Sequence, residues 1–237
     1  NIGEGVLTLE GGTINSIDSN GGGAAVWNEA AFNMSGGTLA FTGTKTDIGS
    51  GIALNNQADA TATITGGTLR ANYACVFNSG NMNIENALLT GGDEYWNVIK
   101  VFGGSSLALR NVTVNARYGG GIEANGGIVD IYDSVFTQTG FYDHNSMNVA
   151  VSSNGIVNVH SGTFTSENYG IYVFNSGGTV NIEGGTFNAG KAVLKADNSI
   201  YETQPSVINV TGGNFTGSFG IGNEATLSIS GGTFSHD

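Results

Sequence analysis

The sequence predicts an all-β solenoid of about ten coils, and three observations favour this fold class. A six-residue motif, an apolar and a polar residue followed by Gly-Gly-Thr and another apolar residue, recurs along the 237-residue chain. Apolar and polar residues alternate around each copy, as expected of strands with one buried face. The chain has 40 glycines and 1 proline. It has no long amphipathic pattern typical of a helix.

The motif returns at intervals of 19 to 30 residues, measured from its threonine position. Such intervals are typical of solenoids, in which each repeat forms one coil and buries its apolar face against its neighbours. The ten threonine positions are occupied by Thr13, Thr38, Thr68, Leu88, Thr113, Val135, Thr163, Thr186, Asn214 and Thr233. The residues one position after, four before and six before are apolar in every copy. These three columns are therefore the predicted core.

The turns of each coil have their own signals. The glycine pair of the motif predicts a bend where a side chain would obstruct the chain. A second strand recurs between the motifs, as in "AAVWN", "ACVFN" and "IYVFN", and six of the nine such segments end in asparagine. We expect these asparagines to adopt the left-handed conformation and to hydrogen-bond from coil to coil. They are Asn28, Asn55, Asn78, Asn125, Asn175 and Asn223.

With these motifs the chain resembles, over essentially its whole length, the right-handed parallel β-helix proteins of the pectate-lyase-like superfamily. The form "ISGGTF" near the end of the chain is also similar to segments of large, adhesin-like bacterial cell-surface proteins. The resemblance implies that residues 1–237 form one single-stranded, right-handed parallel β-helix. It also implies an extracellular location on the bacterial surface, as a fragment of a larger multi-domain protein.

Composition excludes several kinds of partner. A net charge of −12 disfavours nucleic acid and anionic lipid, and it repels polyuronates unless a local basic patch or bound cations intervene. The sequence has no apolar run of about 18 residues, so we expect no membrane insertion. No histidine pair has metal-ligand spacing, and we expect neither a metal nor a cofactor. Cys75 lies in the apolar segment "YACVFN" and is predicted to be a buried packing residue.

Three successive coils carry unusual variable loops, at residues 90–98, 115–121 and 139–148. Because consecutive coils stack, we expect the loops to lie side by side, with Tyr169 in the loop that follows. Aromatic faces stack on sugar rings and carboxylates accept hydrogen bonds from sugar hydroxyls, so the loops predict a glycan site. The candidate ligand-binding residues are Asp93, Glu94, Tyr95, Trp96, Arg117, Tyr118, Tyr142, Asp143 and His144.

Several interpretations of these loops stay open. The favoured one is a non-catalytic adhesin or stalk segment that binds glycans or a host protein, with flanking domains or self-association covering its open ends. The alternative is a carbohydrate-active enzyme: either a glycoside hydrolase, in which Asp93, Glu94 and Asp143 supply a carboxylate pair, or a polysaccharide lyase. The aromatic residues could instead pack locally on the hydrophobic stack. Ice binding is disfavoured because Leu88 and Val135 interrupt the threonine column.

The period-two pattern also predicts which side chains face outward. Three positions before the threonine, Glu85 and Arg110 occupy adjacent coils and are expected to lie opposite each other on the outer face. In the same column His160 is expected on the surface between Tyr132 and Glu183.

Overall fold

The computed structural model describes residues 4–17, 23–43, 51–92, 96–140, 146–174, 176–197 and 204–236. Over these residues the chain forms short strands in three parallel sheets, and each complete coil contributes one strand to each sheet. The prediction of an all-β parallel solenoid of about ten coils is therefore confirmed. No helix in the described part of the chain is long and apolar enough to span a membrane.

The first and second sheets each contain ten strands, numbered here in chain order. The first sheet consists of β1 (Val6–Leu9), β4 (Ala31–Met34), β7 (Thr61–Ile64), β10 (Asn81–Glu85), β13 (Ser106–Arg110), β16 (Ile128–Tyr132), β19 (Gly155–Val159), β22 (Gly178–Ile182), β25 (Ser206–Val210) and β28 (Ala225–Ile229). The second sheet consists of β2 (Thr13–Ser16), β5 (Thr38–Phe41), β8 (Gly67–Ala71), β11 (Ala87–Gly91), β14 (Thr113–Ala116), β17 (Ser134–Gln138), β20 (Gly162–Ser166), β23 (Thr186–Ala189), β26 (Asn214–Thr216) and β29 (Thr233–Ser235).

The third sheet contains nine strands and closes the coils. Its strands are β3 (Ala24–Asn28), β6 (Ile52–Asn56), β9 (Ala74–Asn78), β12 (Ile99–Phe102), β15 (Ile122–Asn125), β18 (Met147–Ser152), β21 (Tyr169–Val173), β24 (Ala192–Ala196) and β27 (Phe219–Ile221). Each of these strands corresponds to one of the second-strand segments of the repeat.

The register of the stack follows the repeat residue for residue. Every threonine position is the Cα partner of the threonine position in the next coil, from Thr13 opposite Thr38 to Asn214 opposite Thr233. The outward column is confirmed as well, since Glu85 lies opposite Arg110 and neither side chain is buried. The predicted alternation of buried and exposed positions therefore holds along most of the stack, but Ile229 of a predicted core column, on the edge strand β28, is exposed.

The core column one residue after the threonine ends in a run of stacked phenylalanines. Their ring centroids are 4.6 to 5.1 Å apart and their planes are within 4 to 13° of parallel. This spacing matches the separation of about 4.8 Å between paired strands, so identical residues in register stack without further adjustment. The stack consists of Phe136, Phe164, Phe187, Phe215 and Phe234.

Each glycine of the pair is required for a different reason. The first glycine lies against the coil below, and a Cβ on Gly36 would approach the Glu10 carbonyl oxygen to 2.8 Å. The second has a positive φ, +96° at Gly67. Where the pair is missing from the sequence, Asn86 and Asn111 adopt the left-handed conformation instead, with φ of 51° and 53°. These residues tolerate that conformation better than most.

The predicted asparagine column is only partly correct. Asn28 and Asn78 lie in a buried ladder, but the residue between them is Asn56 and not Asn55. The Nδ2 of Asn28 donates to Oδ1 of Asn56 over 2.7 Å, and the Nδ2 of Asn56 donates to Oδ1 of Asn78 over 2.8 Å. Asn55 pairs with Trp27 and is only half-buried.

Beyond Asn78 the buried ladder position is apolar, first Val101 and then Ala124. Asn125 is one residue further on, opposite Phe102, and Asn223 follows the end of β27. Asn175 lies outside the described residues. The expected left-handed conformation is not seen at the other five asparagines of the predicted column. The prediction failed because the third-sheet strands end at different positions relative to the nearest asparagine.

Candidate functional site

The three predicted loops leave the coil at one corner, where β11, β14 and β17 of the second sheet end. The Tyr118 amide donates to the Gly92 carbonyl over 2.9 Å, and the Thr139 amide donates to the Ala116 carbonyl over 3.0 Å. The Ser146 hydroxyl donates to the Tyr118 carbonyl over 2.7 Å. The bases of the loops therefore stack from coil to coil.

Three of the nine predicted site residues are described by the structure, namely Trp96, Arg117 and Tyr118. Arg117 is exposed, and its guanidinium carbon is 4.8 Å from the centre of the half-buried Tyr118 ring. The other six lie outside the described residues: Asp93, Glu94, Tyr95, Tyr142, Asp143 and His144. The proposed carboxylate pair of the enzyme alternative is among these six.

Trp96 packs over the outer face of the third sheet. Its ring centroid is 4.7 Å from that of the buried Tyr73 and 6.3 Å from that of Phe77. The Nζ of Lys100 is 4.4 Å from the centre of the indole. Trp96 is half-buried in this cluster. These contacts fit the local-packing interpretation of this residue.

The buried carboxylate of Glu123 fixes Lys100 beneath Trp96. Its Oε2 is 3.1 Å from the Nζ of Lys100 and accepts a hydrogen bond of 2.9 Å from Asn97, while Oε1 accepts one of 3.1 Å from Ser152. A carboxylate with this many donors has its charge compensated within the fold. Lys100 and Glu123 are Cα partners on adjacent coils. Aligning the segments "IKVFG" and "GIEAN" in register would have predicted this pair.

A groove with a volume of about 260 Å³ opens at the same corner, on the outer face of the second sheet. Its polar lining consists of Arg70, Asn72, Thr90, Asn115, Arg117 and Thr139. The chain has 7 basic residues, and two of them line this one groove. The groove therefore concentrates positive charge and hydrogen-bonding groups in a protein of net charge −12.

The repeat itself positions the groove residues. Arg70, Thr90 and Asn115 are Cα partners in consecutive coils, each two residues after a threonine position, where side chains face outward. Small residues follow them at the strand ends, including Ala71 and Gly91, so no bulky side chain fills the space there. Of the polar residues that line the groove, only Arg117 was among the predicted site residues. Arg70 could have indicated the groove from the sequence, because it is a basic residue in the same outward column as Thr90.

A second groove lies at the same corner further along the rod. Its volume is about 210 Å³, and Lys191, Asn188, Thr216 and His236 contribute to its lining. Asn188 and Thr216 are Cα partners two residues after their threonine positions, as Thr90 and Asn115 are in the first groove. The corner therefore offers shallow polar grooves at two heights.

Tyr169, the aromatic residue of the next loop, packs against Tyr172, with the ring centroids 5.5 Å apart. Lys195 Nζ is 5.1 Å from the Tyr169 ring and donates to the Tyr172 hydroxyl over 3.0 Å. The Tyr172 hydroxyl donates to Asp197 over 2.9 Å. Burial raises the pKa of Tyr172. Burial lowers the pKa of Lys195, but its hydrogen bonds to Tyr172 and Asp197 outweigh burial and raise that pKa overall.

Within the described ranges, no group of three or more His, Cys, Asp or Glu side chains could hold a metal ion. Comparisons with protein-family models, with curated proteins and with solved structures found no match to this chain. The function must therefore be inferred from the site itself.

Proposed function

We propose that this rod is a non-catalytic module of a bacterial cell-surface protein, an adhesin or stalk segment, that binds glycans through the corner groove. The observation that carries the proposal is the groove of about 260 Å³ lined by Arg70, Thr90, Asn115 and Arg117. Hydroxyl, amide and guanidinium groups are the donors and acceptors that sugar hydroxyls need.

The scaffold supports a binding role. The floor of the groove belongs to β8, β11 and β14, each paired with a strand on both sides. Side chains on paired strands are held more rigidly than side chains on free loops. The entropic cost of ordering them when a ligand binds is therefore small. Loops at the rim, beginning at Gly92 and Arg117, can then add specificity.

The size of the groove favours shallow recognition. Pockets for drug-sized ligands have volumes of about 300–1,000 Å³. A groove of about 260 Å³ is smaller and suits about one sugar unit. A single contact of this size gives low affinity. A surface that displays many copies of the protein would bind a multivalent glycan more tightly through avidity.

A glycan array tests the proposal. The wild-type chain is expected to retain a defined set of glycans, and Asn115→Ala is expected to lose them, because the amide that lines the groove is removed. Arg110→Ala is the matched control, since Arg110 is an exposed residue of the first sheet that stacks on Tyr132. It should bind as the wild type does.

Two outcomes would contradict the proposal. One is that no glycan is retained, or that Asn115→Ala and the wild type bind equally well; a host protein would then be the better candidate for the partner. The other is turnover: release of reducing ends or unsaturated products from the bound glycans would show a carbohydrate-active enzyme. Trp96→Ala separates the two interpretations of the tryptophan, because a packing residue should affect melting and leave glycan retention unchanged.

A further inference from the structure

We infer that the corner groove selects a single acidic sugar unit at the end of a glycan chain and binds its carboxylate with Arg70. This inference rests on the function proposed above and names the ligand class for that site. The starting observation is the charge of the lining. It includes two arginines, and none of the described residues that line the groove is acidic.

Arg70 is placed to receive an anion. It is exposed, and its Cα partners on the adjacent strands are Ala40 and Thr90, which are short and uncharged. Among the described residues no acidic side chain forms an ion pair with it. A guanidinium group presents its N–H donors in a fork that fits a carboxylate through two parallel hydrogen bonds.

Arg117 also lines the groove and adds a second positive charge to it. Its guanidinium lies 4.8 Å from the Tyr118 ring, a cation–π contact that limits its freedom. Thr90 and Asn115 follow Arg70 in the outward column and line the same groove. Amide and hydroxyl groups at that place suit the hydroxyls of the sugar that carries the carboxylate.

The rest of the rod argues against a long polyanion. The net charge of the chain is −12, so an extended chain of acidic sugars would be repelled along most of the surface. Glu167 is exposed at the same corner, and its carboxylate accepts a hydrogen bond of 2.7 Å from the Gly140 amide, next to Thr139 of the groove. A single carboxylate bound at Arg70 avoids this repulsion, whereas a polymer that continues along the corner meets it.

Isothermal titration calorimetry with four probes tests the inference: lactose, lactose capped by a terminal sialic acid, the methyl ester of that trisaccharide, and a uronic-acid polymer. The acidic trisaccharide should bind about tenfold or more tightly than its ester, as expected for hydrogen bonds to a charged group. The advantage should shrink as salt is raised. The uronic-acid polymer should bind no better than lactose.

Three variants assign the effect to Arg70. Arg70→Gln should abolish the preference for acid over ester, and Arg70→Lys should keep only part of it because the fork is lost. Arg110→Gln, on the first sheet, should keep all of it. Far-ultraviolet circular dichroism checks the fold of each variant, and an exposed residue such as Arg70 should tolerate the change.

The outcomes separate this inference from the function on which it rests. If neutral glycans bind and the acid has no advantage over its ester, the groove is a glycan site but the carboxylate assignment is wrong. If the uronic-acid polymer binds more tightly than the trisaccharide, the restriction to a terminal unit is wrong. If no sugar binds at all, the proposed function and the inference both fail.

Discussion

Replacing Phe187 by alanine removes the middle ring of the phenylalanine stack. Phe187 is fully buried, with its ring centroid 4.6 Å from that of Phe164 and 4.8 Å from that of Phe215. Deleting a buried phenylalanine side chain costs about 3–5 kcal/mol. The coils on either side are fixed by paired strands, so the cavity cannot collapse, and we expect a loss of about 4–5 kcal/mol in the free energy of unfolding.

Two further variants make the test specific to stacking. Phe234 is only half-buried and stacks on Phe215 at 4.9 Å, so Phe234→Ala should cost about half as much. Thr186 precedes Phe187 but faces solvent, and Thr186→Ala should change stability by less than about 0.5 kcal/mol. Urea unfolding followed by circular dichroism measures all three. Equal losses at Phe187 and Phe234, or a loss below about 2 kcal/mol at Phe187, would refute the reasoning.

Three more predictions follow from buried polar groups. Asn56→Ala should cost about 2 kcal/mol or more, because it leaves ladder groups without partners, whereas Asn55→Ala should be nearly neutral in the same urea titration. Cys75 is fully buried and burial raises its pKa to about 12, so a thiol reagent at pH 8 should label it only after unfolding; rapid labelling of the folded chain would contradict this. The raised pKa values of Tyr172 and Lys195 stabilise their protonated forms, and this contribution is complete below their ordinary values of 10.0 and 10.5. Stability should therefore fall as pH rises above about 10, and less steeply in Tyr172→Phe; equal slopes would rule out this cluster as the source.

Periodicity explains why the register of the fold could be predicted from sequence. A residue that recurs in every coil must stack on its own copies, so the threonine positions and the buried columns beside them followed directly from counting. Counting also placed Glu85 opposite Arg110, and this prediction is confirmed. The apolar neighbours of Cys75 correctly predicted that it is buried. The prediction failed at Asn55 because the segments between the second-sheet and third-sheet strands differ in length. The position of the nearest asparagine therefore did not define the register of the third-sheet strands.

The candidate site could be predicted less completely, for physical reasons. The location of the loops at one corner follows from stacking, but the conformation of each loop is not periodic. Whether Trp96 stands free or packs on Tyr73 depends on contacts that no repeat specifies. The groove was missed because its shape arises from small residues at strand ends, and because Arg70 comes from a coil that precedes the variable loops.

The most direct test of the account is a titration of the ¹⁵N-labelled chain with the tightest-binding glycan of the array, followed by amide chemical shifts. We expect the perturbed amides to cluster at the corner groove, at Thr90, Asn115, Arg117 and Thr139. Amides on the outer face of the first sheet, such as Asn181, should not move. Perturbations confined to the first sheet, or spread evenly along the rod, would contradict the assignment of the groove as the glycan site.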